Sequence, residues 1–299
     1  MYEKNILIPE ELAIKKPKKE LLKIINNKVF EDKVLFKKTS DFHGIKVIEN
    51  EVGRFLHYKD TYQAGFINTD FYKGNLPYIN YFLIPYLINP KIKKILLIGM
   101  GSGKVINDYE FLFDNLKNID VIDIEENVVK IAEKFFDFKP SDKFNFFLQD
   151  GITYLRNNKK KYDLIVVDVA NNDGIDLRFL SEEYYDLIKK SLKKTGIFVS
   201  NMCASPDFEN PKNIFFRKFF PTYKKFFTEN IIFKGDYSDK VYYKCFFDVN
   251  ERVIDITNII IISSDKYKTI TASKDAIEKI KKLNIDITTY LNDNIFVIK

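Results

Sequence analysis

Between residues 95 and 200, short apolar runs alternate with stretches of helical spacing, and this alternation constrains the fold more than any other feature of the chain. Residues 95–98, 120–122, 144–148, 164–167 and 196–200 read as strands, and helices are expected from about Val105, over 126–136 and over 181–192. Strands that alternate with helices pair in parallel and take helices on both faces, so the chain is expected to be α/β with a doubly wound sheet. Further on, a helix is predicted over 213–220, strands over 230–234 and 241–247, and a strand over 259–262 that closes the sheet. Ahead of the alternation, 33–38, 44–49 and 54–58 read as strands, with a hairpin turn at 50–53 ending in Gly53. A short helix over 19–27 and a helical segment over 78–87, ended by Asn89-Pro90, complete the reading. The expected divisions are 1–75 as an N-terminal segment with a small antiparallel β unit, 76–264 as a Rossmann-like domain, and 265–299 as an appended helix and strand.

Composition removes several classes. With 45% apolar residues over 299 positions the chain can bury a sizeable core. No apolar run approaches the ~18 residues of a membrane span. Residues 1–11 carry Glu3, Lys4, Glu10 and Glu11 and no signal-peptide core, so the cytoplasm is the expected compartment and no membrane partner is expected. Two cysteines make no disulfide framework, and with two histidines they make no zinc ligand set, so no metal is expected; a carboxylate magnesium site stays formally open. The net charge of +6 comes from lysine, with arginine only at 54, 156, 178, 217 and 252, and no nucleic-acid partner is expected.

In open α/β sheets ligands bind beyond the carboxyl ends of the strands. The first strand runs into Gly99-Met100-Gly101-Ser102-Gly103-Lys104. Its G-x-G-x-G spacing lacks the third glycine of a dinucleotide fingerprint, and Lys104-Val105 breaks a P-loop. The second strand ends in Asp123, where a carboxylate can accept from both ribose hydroxyls. The third ends at Gln149-Asp150-Gly151, where an acid can accept from the exocyclic amine of adenine, and the fourth at Asp168, facing the centre of the cleft. A lone strand-end Asp is often a helix cap. Three acids and a glycine loop at consecutive strand ends fit a sulfonium nucleoside of the S-adenosylmethionine type, whose cation suits an acidic cleft.

In this order of motifs the chain resembles the polyamine aminopropyltransferases, the spermidine synthase family, which share the class I methyltransferase fold. The resemblance runs from about residue 33 to 264. Gln63 lies in the β unit and Tyr78 in the helical segment after it. The glycine loop comes next, then Asp123-Ile124-Glu125-Glu126-Asn127-Val128, Gln149-Asp150-Gly151, Tyr162 through Asp168, and Phe179-Leu180-Ser181-Glu182-Glu183-Tyr184-Tyr185.

The resemblance implies transfer of an aminopropyl group from decarboxylated S-adenosylmethionine to a small-molecule amine, with release of methylthioadenosine. It implies Asp168 as the catalytic acid that takes the amine's proton. Gln63, Gly99, Gly101, Ser102, Gly103, Asp123 and Asp150 are implied to hold the nucleoside, and Tyr78, Asn171 and Asp173 the amine. It also implies a homodimer or homotetramer built through the β unit.

Four positions depart from the family pattern. Ser102 replaces an acid that would bind the donor's ammonium, and Lys104 beside it is expected to attract a carboxylate. Asn171 replaces an acid that would hold a diamine, with Asp173 or Asp176 as stand-ins. Ile79-Asn80 replaces a His-Glu pair. Two alternatives follow: a methyltransferase that uses ordinary S-adenosylmethionine on a small molecule, and a catalytically degenerate nucleoside- or polyamine-binding member.

Overall fold

The computed structural model describes residues 6–7, 31–39, 44–58, 61–68, 73–169, 176–204, 219–234, 257–267, 270–285, 287 and 295–298. The helix expected over 19–27, the strand over 241–247, most of the helix over 213–220, and both Asn171 and Asp173 lie outside these residues.

Strands are numbered in chain order. β1 (Ile6–Leu7) precedes a five-stranded antiparallel sheet of β2 (Lys33–Thr39), β3 (Gly44–Glu49), β4 (Gly53–Tyr58), β5 (Thr61–Asn68) and β6 (Lys73–Asn75), paired in that order. The turn between β3 and β4 forms as expected, with Asn50 and Gly53 exchanging backbone hydrogen bonds at 3.0 and 3.2 Å. A 3-10 helix (Pro77–Leu83) leads into α1 (Ile84–Ile88), so the expected helical segment winds tightly in its first half.

The catalytic-domain pattern then runs β7 (Lys94–Ile98), α2 (Lys104–Leu112), β8 (Asn118–Asp123), α3 (Val128–Phe135), β9 (Phe144–Leu148), α4 (Gly151–Asn157), β10 (Tyr162–Val167), α5 (Glu182–Ser191) and β11 (Leu192–Ala204). It continues with α6 (Phe220–Phe226), β12 (Asn230–Lys234), β13 (Thr257–Ser263), β14 (Ile270–Thr271), α7 (Lys274–Lys281) and β15 (Ile295–Ile298).

These strands build one eight-stranded sheet in the order β15-β12-β13-β11-β10-β7-β8-β9. Strands β9, β8, β7, β10 and β11 run parallel, and β13, β12 and β15 extend the sheet antiparallel. β13, expected from sequence to close the sheet, lies inside it instead, and β15 supplies the edge. The 265–299 segment is tied in twice more: β14 pairs with β1, and α7 buries Ile277 and Ile280 in the main core.

Strand alternation sorts the core onto two faces. Ile95, Leu97, Val121, Leu164, Val166, Ile197 and Val199 pack on one face, with α1, α2, α3 and α7. Leu96, Ile98, Ile122, Ile165, Val167 and Phe198 pack on the other, with α4, α5 and α6. This is why the central strands read as unbroken apolar runs: both faces are covered. The small sheet leans on α3, where Ile45, Val47, Leu56 and Ala64 pack with Ile131 and Phe136. Arg54 Nη1 pins the contact by donating to the Phe135 carbonyl at 2.8 Å. That docking brings β5, with Gln63, over the carboxyl ends of β7 and β10.

Candidate active site

β7 is the switch point of the parallel set: β8 lies on one side of it and β10 on the other. A crevice opens where connections diverge from such a strand. A cavity of about 250 Å3 occupies it, lined by Gln63, Gly99, Gly101, Asp123, Asp150 and Asp168 among others. That is near the lower end of small-ligand clefts, ~300–1,000 Å3.

The glycine loop shapes its floor. Gly99 sits at φ +92°, and a Cβ there would stand 2.1 Å from the Asp168 carbonyl oxygen. The Asp168 N–H in turn donates to the Ile98 carbonyl at 2.9 Å. Only glycine permits so close an approach of the two strand ends. Gly103, at φ +74°, is not among the residues that line the cavity, and a Cβ on it would meet the Phe138 ring at 2.8 Å, so packing by itself requires glycine there. Ser102 is buried and is also absent from the cavity lining. The Lys104 ammonium is bound to the Asp108 carboxylate one turn along α2, and Asn75 Nδ2 donates to the same carboxylate at 3.3 Å. The expectation that Lys104 attracts a ligand carboxylate fails for this reason.

Asp123 lies at the end of β8 and is 9% exposed. Its two oxygens accept from the N–H of Met100 at 2.8 Å and of Glu125 at 2.9 Å. Burial pushes its carboxyl up, while those backbone donors oppose the shift. The residue therefore secures the glycine loop while it lines the cavity.

Asp150 is both helix cap and cavity wall. Its Oδ1 accepts from the Thr153 N–H at 2.9 Å and hydroxyl at 3.0 Å, which caps α4. Its Oδ2 pairs with Arg178 Nη2 at 3.2 Å. Burial pushes its carboxyl up, but the Thr153 bonds and the Arg178 guanidinium outweigh that and hold it below the ordinary range. Asp176 takes the same guanidinium at 2.7 Å. Neither Arg178 nor Phe179 stood out as a site residue in the sequence, yet both line the cavity, as does Tyr58 from β4. Only the return of the chain from Asp176 brings Arg178 against Asp150, and nothing local signals it.

Asp168 stands at the centre. Its Oδ2 accepts from the Tyr78 hydroxyl at 3.3 Å, and its Oδ1 from Asn201 Nδ2 at 2.8 Å. The Tyr78 hydroxyl also lies 3.4 Å from the Gln63 carbonyl. Burial raises the Asp168 pKa to about 6, against the opposing pull of the Asn201 and Tyr78 hydrogen bonds. A carboxylate with that affinity for protons is suited to accept one near neutral pH. Tyr78, implied as an amine-pocket residue, is buried and bonded to this acid rather than lining the cavity. Among the described residues, no group of three or more His, Cys, Asp or Glu side chains is placed to hold a metal. No helix of the described residues is long and apolar enough to cross a membrane.

Known proteins share this fold. A polyamine aminopropyltransferase of Clostridium botulinum is 30% identical over 184 residues, 60% of this chain and 62% of that protein. The chain thus spans less than two thirds of the curated relative it matches. The solved spermidine synthase of Thermotoga maritima superposes with a TM-score of 0.62 at 18% identity, covering 92% of this chain and 89% of that one. A spermidine synthase solved in complex with the transition-state analogue AdoDATO gives 0.58 at 19% identity, covering 84% and 80%. These likenesses carry the expected fold. A family model described as the spermine/spermidine synthase domain matches residues 82–234, from the 3-10 helix through β12 and across the ends of β7, β8, β9 and β10 at the cavity, and the chain belongs to that family.

Proposed function

We propose that this protein transfers an aminopropyl group from decarboxylated S-adenosylmethionine to a small amine, as the names of its relatives indicate for those proteins. The observation that carries the reading is the Asp168 centre: a carboxylate at the switch point, poised near pH 6 and fixed by Tyr78 and Asn201.

The acceptor amine reacts as the neutral base, although a free alkylammonium has a pKa of roughly 10.4. Its nitrogen lone pair attacks the aminopropyl carbon bound to sulfur. The carbon–sulfur bond breaks, its electron pair goes to sulfur, and neutral methylthioadenosine leaves. The proton that held the amine as an ammonium goes to the Asp168 carboxylate before the attack, and the product nitrogen carries the positive charge that sulfur loses. Four carboxylates line the cavity, those of Asp123, Asp150, Asp168 and Asp176, against the single guanidinium of Arg178, and this balance favours a cationic donor.

Gln63, Gly99, Gly101, Asp123 and Asp150 are assigned to the nucleoside, with Asp123 toward the ribose and Asp150 toward the base. Gly103 and Ser102 support the loop. Asn171 and Asp173 follow Asp168 in sequence and stay assigned to the amine. Assembly as a homodimer or homotetramer and location in the cytoplasm belong to the same proposal. Ser102, which supplies no charge for the donor's ammonium, is the one feature that favours the methyltransferase alternative.

Mass spectrometry separates the readings. Purified protein is given decarboxylated and ordinary S-adenosylmethionine with a pool of diamines and polyamines. Methylthioadenosine and a lengthened polyamine, formed only from the decarboxylated donor, are expected. Adenosylhomocysteine with a methylated acceptor would overturn the proposal, as would no product from any pairing.

A further inference from the structure

Asn201 lies just beyond the apolar run of β11. Val167 pairs with Ser200, so Asn201 falls beside Asp168 at the carboxyl ends of neighbouring parallel strands. On its other side β11 meets β13, where Asn201 is opposite Ile260 and Asn258 lies two residues along, the diagonal neighbour on the same face. Both N–H groups of the Asn201 amide are used in this corner. One goes to Asp168 Oδ1 at 2.8 Å, the other to Asn258 Oδ1 at 3.0 Å. The amide is thereby fixed in orientation, and its oxygen is left over: Asn201 Oδ1 is sealed from solvent and accepts no hydrogen bond among the described residues. Buried polar atoms are almost always partnered, and one that is not calls for a reason.

The reason lies in its position. Turning the amide over would set that oxygen against the Asp168 carboxylate, so the Asn258 anchor fixes the amide with its N–H groups engaged and its oxygen left over. We propose that Asn201 positions the acid–base centre: one N–H holds the Asp168 carboxylate, the other is anchored on Asn258, and the amide is thereby locked with its nitrogen toward Asp168. A carboxylate held in one orientation meets the attacking amine along a fixed direction, which the displacement needs. This rests on the transferase reading.

The groups around Asp168 make a pH readout interpretable. Tyr78 faces it from the 3-10 helix, Gln63 and Gly99 present no charge from β5 and the glycine loop, and Asn201 and Asn258 present none from β11 and β13. Asp123, Asp150, Asp176 and Arg178 line the same cavity and stay unchanged in the test.

The test is Asn201→Leu, assayed with decarboxylated S-adenosylmethionine and 1,4-diaminobutane as the probe amine. Methylthioadenosine affinity should stay within about twofold of wild type, since Asn201 does not line the cavity. kcat/KM for the amine should fall about 10- to 100-fold, the range for a lost charge-assisted hydrogen bond. The acidic limb of its pH profile should move up by about half a unit or more, because Asp168 loses a donor to its charged form. An acidic limb that superposes on wild type overturns the proposal. Where Asn201→Leu does not fold, Asn258→Ser releases the anchor and must move the limb the same way. Should the wild-type protein make no product, the transferase reading fails. Carboxyl NMR of Asp168 then decides the positioning role: titration in the variant above that of wild type supports it, and coincident titration overturns it.

Discussion

The backbone of Asp168 lies where a side chain on Gly99 would have to be: the Asp168 carbonyl oxygen is 2.1 Å from the place of a Gly99 Cβ. The glycine loop thus brings Asp168 and the cavity to one point. Gly99→Ala should cost about 2–4 kcal/mol, from a methyl group forced against backbone at positive φ. Denaturant unfolding reads this as a lower midpoint at unchanged slope, and turnover should fall with the displaced strand end. Wild-type stability would show that the loop has room to spare.

Asp168 is held in the cleft at a cost in stability. Its folded pKa, raised to about 6, lies above its unfolded value. Folded protein therefore binds the proton more tightly between about pH 4 and 6, and stability falls as pH rises through that window. Asp168→Asn removes the titration. At pH 7.5 it should gain about 1–3 kcal/mol, a few degrees in Tm, and the gain should vanish near pH 4. Activity should drop about 100- to 10,000-fold. A variant less stable than wild type at pH 7.5 would contradict the burial argument.

Lys104 is engaged with a buried acid. Burial pushes the Asp108 carboxyl up, and Lys104 and Asn75 oppose it. Lys104→Met leaves that carboxylate with Asn75 alone and should cost about 1–3 kcal/mol, less than a fully buried pair because the lysine is partly exposed. The preference between decarboxylated and ordinary donor should not change. A shift in that preference would show that Lys104 reaches the ligand.

Asp150 carries two roles that substitution can separate. Asp150→Ala removes the α4 cap and should cost about 1 kcal/mol. Asp150→Ser keeps a capping oxygen but loses the Arg178 pair and the reach into the cavity. Calorimetry with methylthioadenosine should find binding weakened about tenfold or more in both variants, with stability lost only in the alanine form. Unchanged affinity in the serine variant would confine Asp150 to capping.

The sequence exposed the sheet because its central strands are covered on both faces, so β7, β10 and β11 stand out as apolar runs against polar helix surfaces. α4 escaped notice because it is short and begins at Gly151, a residue that reads as loop; the Asp150–Thr153 cap was its one local signal. The antiparallel placement of β13 and β15 depends on chain returns that leave no periodic trace. Asp123, Asp150 and Asp168 were legible because polar residues ending apolar runs are conspicuous. Their partners were not: Arg178 meets Asp150 across 28 residues, and Asn201 meets Asp168 across 33, through tertiary structure alone. At Gly103, spacing shows a loop's flexibility and not that Phe138 fills the side where a side chain would lie.

The most direct test of the account is methylthioadenosine release from decarboxylated S-adenosylmethionine and 1,4-diaminobutane, followed from pH 5 to 9 in wild type and Asp168→Asn. The wild-type rate should rise with pH through an apparent pKa of about 6 as Asp168 ionises. The variant should be slow throughout and lack that step, its remaining pH dependence set by the amine itself. The same limb in both proteins, or full turnover in Asp168→Asn, would contradict the assignment of Asp168 as the group that takes the proton.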